Sequence, residues 1–264
     1  MKLKFCSLYS GSSGNCQYIK TENATIIVDA GLSGKRIQQE ISNIGEDPKK
    51  IDAIFITHEH IDHIQGAGIM SRRLNIPIYA NTNTWEAMSN KIGDVSEKNI
   101  KVFDGYYPFE IGDITVIPFP IPHDAAKPCG YSLIHGKKKA TIATDIGYAS
   151  DIVKNNIKNS DVVLLEANHD VEMLKVGPYP YPLKLRILSD TGHLSNADAG
   201  KTIIDVMGYG IKTVILGHLS KVNNYPGLAF RTVISELEME GIKDGKDINI
   251  DIARRETVSH FYNL

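Results

Sequence analysis

The chain has 264 residues, of which 42% are hydrophobic and 23% charged, and its formal net charge is −2. This composition is typical of a folded globular protein, and it excludes a disordered chain or one that binds nucleic acid through bulk positive charge. The absence of a long apolar run, a polar N-terminus and only three irregularly spaced cysteines predict a cytoplasmic protein without membrane contact or disulfides.

Short β segments dominate the first half of the chain. They are rich in β-branched and aromatic residues and are bounded by turn residues, a pattern that predicts strands. One helix is expected among them, because Ser33 can cap it and Ile37 and Ile41 would form its apolar face. The predicted strands have the sequences KFCSLYS, CQYIKT, TIIVDAG, IDAIFIT, IPIYAN, KVFDGYYPFEIG, ITVIPFPI, GYSLIH and ATIATD.

Helices are predicted again in the second half, over residues 196–210 and 226–241. The second of these has a proline near its start and a glycine at its end, the expected asymmetry of helix termini. Residues 168–192 are rich in Pro and Tyr, which predicts a functional loop. No repeat or linker is visible, so we expect a single domain over 1–264. Two further strands are predicted, TVILGH and NIDIAR.

The most informative stretch is HEHIDH, residues 58–63, at the end of the apolar strand IDAIFIT. Imidazole and carboxylate groups are the usual ligands of divalent metals in proteins. His58 and His60 alternate, so an extended segment would point both to one side. Asp62 and His63 follow where the chain would turn. Two neighbouring metals fit these four side chains better than one; the alternative is a polar turn with incidental histidines.

HEHIDH resembles the H-x-H-x-D-H signature of the metallo-β-lactamase superfamily. Three more ligands follow in that superfamily, each at the end of a strand, and His123, Asp145 and His218 stand in matching order and context. Taken singly, each of these three would be interpreted first as a hydrogen-bonded residue at a strand end, and only the cluster before them favours a ligand. The resemblance implies an α/β (α+β) fold, the four-layer αββα sandwich of two mixed sheets flanked by helices.

The resemblance also implies a ligand set for two divalent metal ions per chain, Zn²⁺ or Mn²⁺, with iron as a further option. Two such ions can share a bridging hydroxide, which is a strong nucleophile at neutral pH. Asp29 resembles a family position that supports the ligand loop through hydrogen bonds. The implied ligands are His58, His60 and His123 for the first metal, Asp62, His63 and His218 for the second, and Asp145 between the two.

His193, in the segment TGHLSNADAG, lies outside this ligand set. It resembles the extra histidine of phosphodiesterase members of the superfamily, and Glu166 of LLEANH would be either its orienting partner or an outer partner to a metal ligand. A protonated imidazole beside two metals can stabilise a phosphate oxygen or protonate a leaving alkoxide. We therefore predict Asp62 and His193 as the catalytic residues; the alternative is that His193 only caps its own turn.

Five segments together resemble the YycJ/WalJ group of bacterial metallo-hydrolases over essentially the full length: SGSSGNC, EANHDVEML, GPYPYPLK, GHLSN and HLSKVNN. This resemblance implies a dimetal phosphodiesterase or nuclease, a 5′→3′ DNA exonuclease that acts through a metal-bridging hydroxide, with DNA favoured over RNA. A thioester or lactone hydrolase of glyoxalase II type would use the same ligands and is the alternative enzyme. A non-catalytic nucleic-acid or signalling partner that kept the fold is the third hypothesis.

Substrate contacts are predicted from loops near the ligand motifs. A turn such as SGSSGN can present backbone N–H groups to a phosphate, although it can also simply join two strands. Residues 179–186 interleave aromatic and basic groups, as strand-binding surfaces do, or form a loop braced by prolines. No oligomeric state is favoured. The residues predicted to contact substrate are Asn15, His169, Lys184, Arg186 and Ser195.

Overall fold

The β segments of the first part of the chain pair with one another to form one sheet, to which the last strand returns. The computed structural model describes residues 2–264. In spatial order, this sheet consists of β14 (Phe261–Asn263), β1 (Lys4–Tyr9), β2 (Cys16–Lys20), β3 (Thr25–Val28), β4 (Ala53–Phe55), β5 (Ile78–Asn81) and β6 (Ile100–Phe103). Neighbours are antiparallel from β14 to β3 and parallel from β3 to β6.

The second sheet has the same mixed pattern. In spatial order, it consists of β13 (Asn249–Ile252), β12 (Thr213–Gly217), β11 (Val162–Glu166), β10 (Lys138–Ala143), β9 (Cys129–His135), β8 (Ile114–Pro120) and β7 (Phe109–Ile111). Neighbours are parallel from β13 to β10 and antiparallel from β10 to β7. Each sheet therefore joins a parallel half to an antiparallel half.

The helices connect the parallel strands, as crossover connections do. They are α1 (Gly34–Asn43), α2 (Ile61–Ile64), α3 (Ala67–Leu74), α4 (Thr82–Ile92), α5 (Asp151–Ile157), α6 (Val171–Val176), α7 (Tyr181–Ile187), α8 (Asn196–Val206) and α9 (Pro226–Met239). The expected cap of α1 is present, since the Ser33 side chain accepts from the N–H of Arg36, and Ile37 and Ile41 are buried. Within residues 2–264, no helix has the length and apolar character needed to cross a membrane.

Alternation along the strands divides the buried side chains among three cores. In β11, Val162 and Leu164 lie between the two sheets, while Val163 and Leu165 pack towards the helices. The first sheet has its own core with α1, α3 and α4, to which these helices contribute Ile37, Ile41, Ala67, Met70, Trp85 and Met88. The order of layers is therefore helices, sheet, sheet, helices, which confirms the predicted αββα sandwich.

Two local predictions need correction. The segment KVFDGYYPFEIG is divided between β6 in the first sheet and β7 in the second, because the chain crosses from one sheet to the other there. The loop predicted over 168–192 contains two short helices, α6 and α7. Asp170 caps α6 through the N–H of Met173, and Pro182 lies in the first turn of α7, where the missing N–H of proline is tolerated.

Candidate metal centre

The predicted ligands meet where strands of both sheets end. His58 lies just beyond β4, Asp145 beyond β10 and His218 immediately after β12. The carboxyl ends of parallel strands are the usual place for sites in α/β sheets, because the loops there converge. The segment after β4 enters α2, which carries Asp62 and His63, and His123 follows β8.

Two aspartates and one histidine of the site have left-handed backbone conformations that L-residues seldom adopt. The φ angles are 62° at Asp29, 58° at Asp145 and 53° at His218. Such conformations cost about 1–3 kcal/mol each and persist where the surroundings enforce them. At His218 the N–H donates to Ser10 Oγ at 2.9 Å, and the carbonyl accepts from Asn168 Nδ2 at 2.9 Å. The fold thus holds this histidine in a strained position.

Three histidines converge on one point at the first part of the site. His58 Nε2 lies 3.0 Å from His60 Nδ1, which in turn lies 3.3 Å from His123 Nε2. The other ring nitrogens have partners of their own, Thr57 Oγ1 at 3.0 Å for His58 and the Gly192 carbonyl at 3.1 Å for His123. Burial lowers the pKa of both His58 and His123. Neutral imidazoles are the form that binds a metal.

Asp145 connects this group to the second part of the site. Its Oδ2 lies 3.0 Å from His218 Nδ1 and 3.3 Å from His63 Nε2, and its Oδ1 lies 3.8 Å from His123 Nε2. Burial alone would raise the pKa of Asp145, but His218 and His63 lower it well below its usual range. Asp62 lies farther from the histidines than Asp145 does, with its Oδ2 3.6 Å from His63 Nε2. The carboxylate of Asp145 therefore lies between the two groups of histidines.

The second group offers unsatisfied atoms to a cation. Asp145 Oδ2 and His218 Nδ1 are buried, and neither has a well-formed hydrogen bond in residues 2–264. Leaving a buried polar atom unpaired costs about 1–3 kcal/mol. Burial lowers the pKa of His63, but Asp29, Asp145 and Asp62 together raise it well above its usual range, so this region favours positive charge. The clusters of His and Asp are therefore suited to hold divalent metal.

Asp29 and Asn15 contact the loop that carries the proposed ligands. Asp29 Oδ2 lies 2.8 Å from His63 Nδ1, and its Oδ1 accepts from the Thr57 N–H at 2.9 Å. Asn15, predicted as a substrate contact, is only 1% exposed. Its Nδ2 lies 3.1 Å from both the Gly11 carbonyl and His63 Nε2. In this structure, therefore, Asn15 contacts the ligand loop and is buried away from solvent.

His193 and Glu166 form a pair at the edge of the site. His193 Nδ1 lies 2.7 Å from Glu166 Oε1, while Oε2 accepts from the N–H groups of Ile146 at 2.7 Å and Leu194 at 3.3 Å. Glu166 is fully buried. Burial works against a charged imidazole, but Glu166 outweighs it and raises the pKa of His193 to about 9. This shift favours the protonated imidazole at neutral pH, with its Nδ1–H directed to Glu166.

A cleft of about 320 Å³ opens above these groups. Arg186 contributes to its wall and is ion-paired with Asp124, with Nη2 3.0 Å from Oδ1. Because Asp124 Oδ1 also lies 3.5 Å from His123 Nε2, this pair links α7 to the metal site. The residues lining the cleft are Ser12, His60, Ile61, Asp62, Asp145, Arg186, His193 and His218.

The remaining predicted substrate contacts lie elsewhere. Lys184 is directed to the carbonyl of Lys175, at 2.7 Å. Ser195 caps α8, accepting from the Asp198 N–H at 3.1 Å and donating to Asp198 Oδ2 at 2.7 Å. His169 is 1% exposed, neither ring nitrogen has a partner in residues 2–264, and burial lowers its pKa to about 4. Of the five residues predicted to contact substrate, only Arg186 lines the cleft.

The sequence prediction missed three residues that hold the site together. Thr57 and Asp124 each stand next to a ligand in the sequence, which is the signal that could have identified them. Gly31 has no such signal. A Cβ atom there would lie 1.6 Å from the Asp62 carbonyl oxygen, so the ligand loop and the segment after β3 can approach this closely only at a glycine.

Comparison with known structures identifies the fold. The protein YhfI from Bacillus subtilis, described as a metallo-beta-lactamase fold protein, superposes with a TM-score of 0.76 at 16% identity, covering 99% of both chains. Unliganded yeast PDE1 superposes with a TM-score of 0.71 at 14% identity, covering 98% of this chain and 99% of its own. These similarities concern the fold alone.

Sequence comparison is more specific. The family described as the beta-lactamase superfamily domain matches residues 24–219. Exodeoxyribonuclease WalJ of Streptococcus pneumoniae serotype 2 (strain D39 / NCTC 7466) is 42% identical over 249 residues, which cover 94% of this chain and 93% of that protein. Exodeoxyribonuclease YycJ of Bacillus anthracis is 40% identical over 250 residues, or 95% of each chain. The chain therefore belongs to the beta-lactamase superfamily and, within it, to the family of WalJ and YycJ.

Proposed function

We propose that the chain is a two-metal phosphodiesterase that removes nucleotides from the 5′ end of DNA. One observation carries this proposal: the predicted metal ligands and the buried Glu166–His193 pair lie at the same cleft. The pair adds a protonated imidazole to a site suited to divalent metal, and such a group can protonate the leaving alkoxide of a phosphodiester. The names of the two relatives, both exodeoxyribonucleases, support DNA as the substrate.

In this proposal the ligands divide between two ions, Zn²⁺ or Mn²⁺ or alternatively iron. When bound, such ions neutralise phosphate oxygens and allow water to provide a nucleophile at neutral pH. Asp62 is partly exposed, with 20% of its side chain accessible, and lines the cleft, so it can contact substrate as well as metal. The residues that would hold the first ion are His58, His60 and His123, those for the second would be Asp62, His63 and His218, and Asp145 would be shared by the two.

His193 supplies the proton. Its Nδ1–H is held by Glu166 at 2.7 Å, so the ring cannot turn freely, and Nε2–H remains as the second donor of the imidazolium. From the wall of the cleft this group can donate to a phosphate oxygen or to the leaving alkoxide. Ile146 and Leu194 fix the other oxygen of Glu166, which keeps the pair in one orientation.

The direct test is a time course on DNA labelled at its 5′ end, single-stranded and double-stranded, with purified protein and Mn²⁺ or Zn²⁺. We expect labelled mononucleotide to appear first, a chelator to stop the reaction and added metal to restore it. Preferential cleavage of RNA would replace DNA as the substrate. If DNA, RNA and bis-p-nitrophenyl phosphate all stay uncut, the proposed function is wrong.

A thioester or lactone hydrolase of glyoxalase II type would use the same metal ligands but assigns no role to His193. The variant His193→Ala separates the two reactions. In a phosphodiesterase it should lower turnover of diesters by about 10²- to 10⁴-fold, the usual contribution of a general acid. In the alternative, turnover of a thioester or lactone would exceed that of diesters in the unaltered protein and would survive the substitution.

A further inference from the structure

A second pocket adjoins the metal centre on the far side of the segment that carries His218. Its volume is about 290 Å³. The two cavities share a wall, because Ser10 lines the second pocket and accepts from the N–H of His218, while Ser12 of the same turn lines the cleft. The residues of the second pocket that matter here are Ser10, Leu219, Lys221, Tyr225, Arg255 and Glu256.

The cations of this pocket have unused donors. Lys221 is exposed, and among residues 2–264 its ammonium group has neither a hydrogen bond nor an ion pair. The guanidinium of Arg255 has five N–H donors. Within residues 2–264 it makes one hydrogen bond, in which Nη2 donates to the Leu219 carbonyl. Glu256 is the single acid of the lining, so the pocket has a net positive charge.

On the other side of the cleft, the basic residues already have partners for their donors. Arg186 is paired with Asp124, and the ammonium group of Lys184 is directed to a backbone carbonyl. Those two residues stood out in the sequence because they closely follow Tyr179 and Tyr181, whereas Lys221 and Arg255 lie far apart in the chain. The free positive charge beside the metal centre is therefore on the Lys221 side.

An aromatic side chain completes the pocket. Tyr225 is 55% exposed, and it precedes α9 without making any side-chain hydrogen bond to the helix terminus. An exposed ring next to cations is the combination by which proteins hold nucleotides without reading their sequence: the base stacks and the phosphate meets the cations. Arg255 also packs against Gly11, where a Cβ atom would lie 3.3 Å from Arg255 Cγ. The pocket therefore lies directly against the turn that carries Ser10 and Ser12, beside the proposed metal site.

We propose that this pocket is a nucleotide subsite, in which Lys221 and Arg255 bind a phosphate of the substrate strand and Tyr225 stacks on the adjoining base. The inference rests on the proposed function and extends it, because it places the strand relative to the cleaved bond. The small volume suits one nucleotide rather than a duplex. The phosphate is either the 5′-terminal one or an internal one, and these have the same chemistry.

Binding without turnover tests the proposal. Fluorescence anisotropy with a labelled single-stranded oligonucleotide, in the presence of a chelator, is measured for the full chain over a range of salt concentrations. For Lys221→Gln we expect weaker binding and a salt slope smaller by about 0.7, the value for one lost phosphate contact on a single strand. Tyr225→Ala should weaken binding at least about 5-fold, while Tyr225→Phe, which keeps the ring, should bind like the unaltered protein.

Lys98→Gln is the matched control, since Lys98 is an exposed lysine before β6 in the first sheet. Arg255 is left in place because its guanidinium also holds the carbonyl next to His218. If removal of the 5′-phosphate weakens binding of the unaltered protein but not of Lys221→Gln, the subsite takes the terminal phosphate. If both lose affinity equally, it takes an internal one.

Unchanged affinity and salt slope in both Lys221→Gln and Tyr225→Ala would overturn the subsite. Failure of the proposed reaction gives a different result, because a protein that binds oligonucleotides through these residues but cuts no diester still has the subsite. Failure of the unaltered protein to bind any oligonucleotide would contradict both.

Discussion

Gly31 marks the closest approach between two loops of the metal centre. The chain after β3 touches the carbonyl of Asp62 there, and the N–H of Asn15 donates to the same carbonyl at 2.9 Å. A side chain at this point would have to displace the backbone of the residue that carries one proposed ligand. The geometry of the site therefore depends on a residue that contributes no functional group.

Gly31→Ala is expected to destabilise the fold by about 3 kcal/mol, the upper range for an overpacked position, and to lower metal content. A Cβ atom would lie 1.6 Å from the Asp62 carbonyl oxygen and 2.6 Å from the Asn15 nitrogen. Gly208→Ala is the control, because no atom lies within 4 Å of a Cβ there. Denaturant unfolding and metal analysis would compare the two. Equal stability of both variants would contradict this account of Gly31.

The structure brings the residues predicted as metal ligands close together, whereas most of the residues predicted to contact substrate lie away from the cleft. Ligand types at strand ends follow from a pattern in one stretch of chain, as for His58 and His60. Asn15 and Ser195 are polar residues in loops, and whether such a side chain faces the cleft or a neighbouring loop depends on contacts far away in the sequence. In the structure Asn15 contacts His63, and Ser195 caps a helix.

At the level of elements, the position of α8 is set by its cap. Ser195 accepts from the N–H of Asp198, and the helix buries Ile203 and Val206 against the second sheet. His193, two residues before Ser195, lines the cleft. A helix fixed at its first turn therefore also fixes the loop that carries the proposed proton donor.

Ser195→Ala should lower the free energy of unfolding by about 1 kcal/mol, the usual effect of removing an N-cap side chain. Ser195→Thr keeps a hydroxyl for the Asp198 N–H and should retain most of this stability. Thermal or denaturant unfolding measures the effect, and the KM for an oligonucleotide is measured alongside. A large rise in KM at unchanged stability would show that Ser195 contacts substrate instead.

Element boundaries were harder to predict than element types. The run from Lys101 to Gly112 has strand character throughout, but a local pattern does not reveal that the chain changes sheets after β6. The prolines and tyrosines of 168–192 indicated an irregular loop. Because proline is also accepted in the first turn of a helix, the same residues begin α7.

Over the whole molecule, the three cysteines are buried in the layers of the sandwich and form no disulfide. Burial raises the pKa of Cys6 and of Cys129 to about 12, and burial together with Asp29 raises that of Cys16 further. Thiolate is the reactive form of cysteine, so these thiols should be inert in the folded protein.

We expect native protein at pH 8 to resist iodoacetamide, because the thiols are neutral and inaccessible. After unfolding in guanidinium chloride, all three should be alkylated, as counted by mass spectrometry of the intact chain. The unfolded sample is the control for reagent activity. Rapid modification of any cysteine in the native protein would contradict the packing described for the sandwich.

The fold as a whole followed from one motif, since HEHIDH and its three partners identified a superfamily with a known architecture. Composition and strand pattern alone indicated an α/β protein but not the pairing of strands. The return of β14 to the edge of the first sheet, beside β1, joins the two ends of the chain and has no local signal. Such long-range pairing is visible only in the folded molecule.

In the proposed function, one chain holds two divalent ions through a carboxylate shared between them. Metal analysis of protein equilibrated with Zn²⁺ or Mn²⁺ and then desalted tests it most directly, with the exposed Asp205→Asn as a control for a lost surface acid. We predict two ions per chain in the unaltered protein and in Asp205→Asn, and at most one in Asp145→Asn. One ion or none in the unaltered protein, or two retained without the Asp145 carboxylate, would contradict the account.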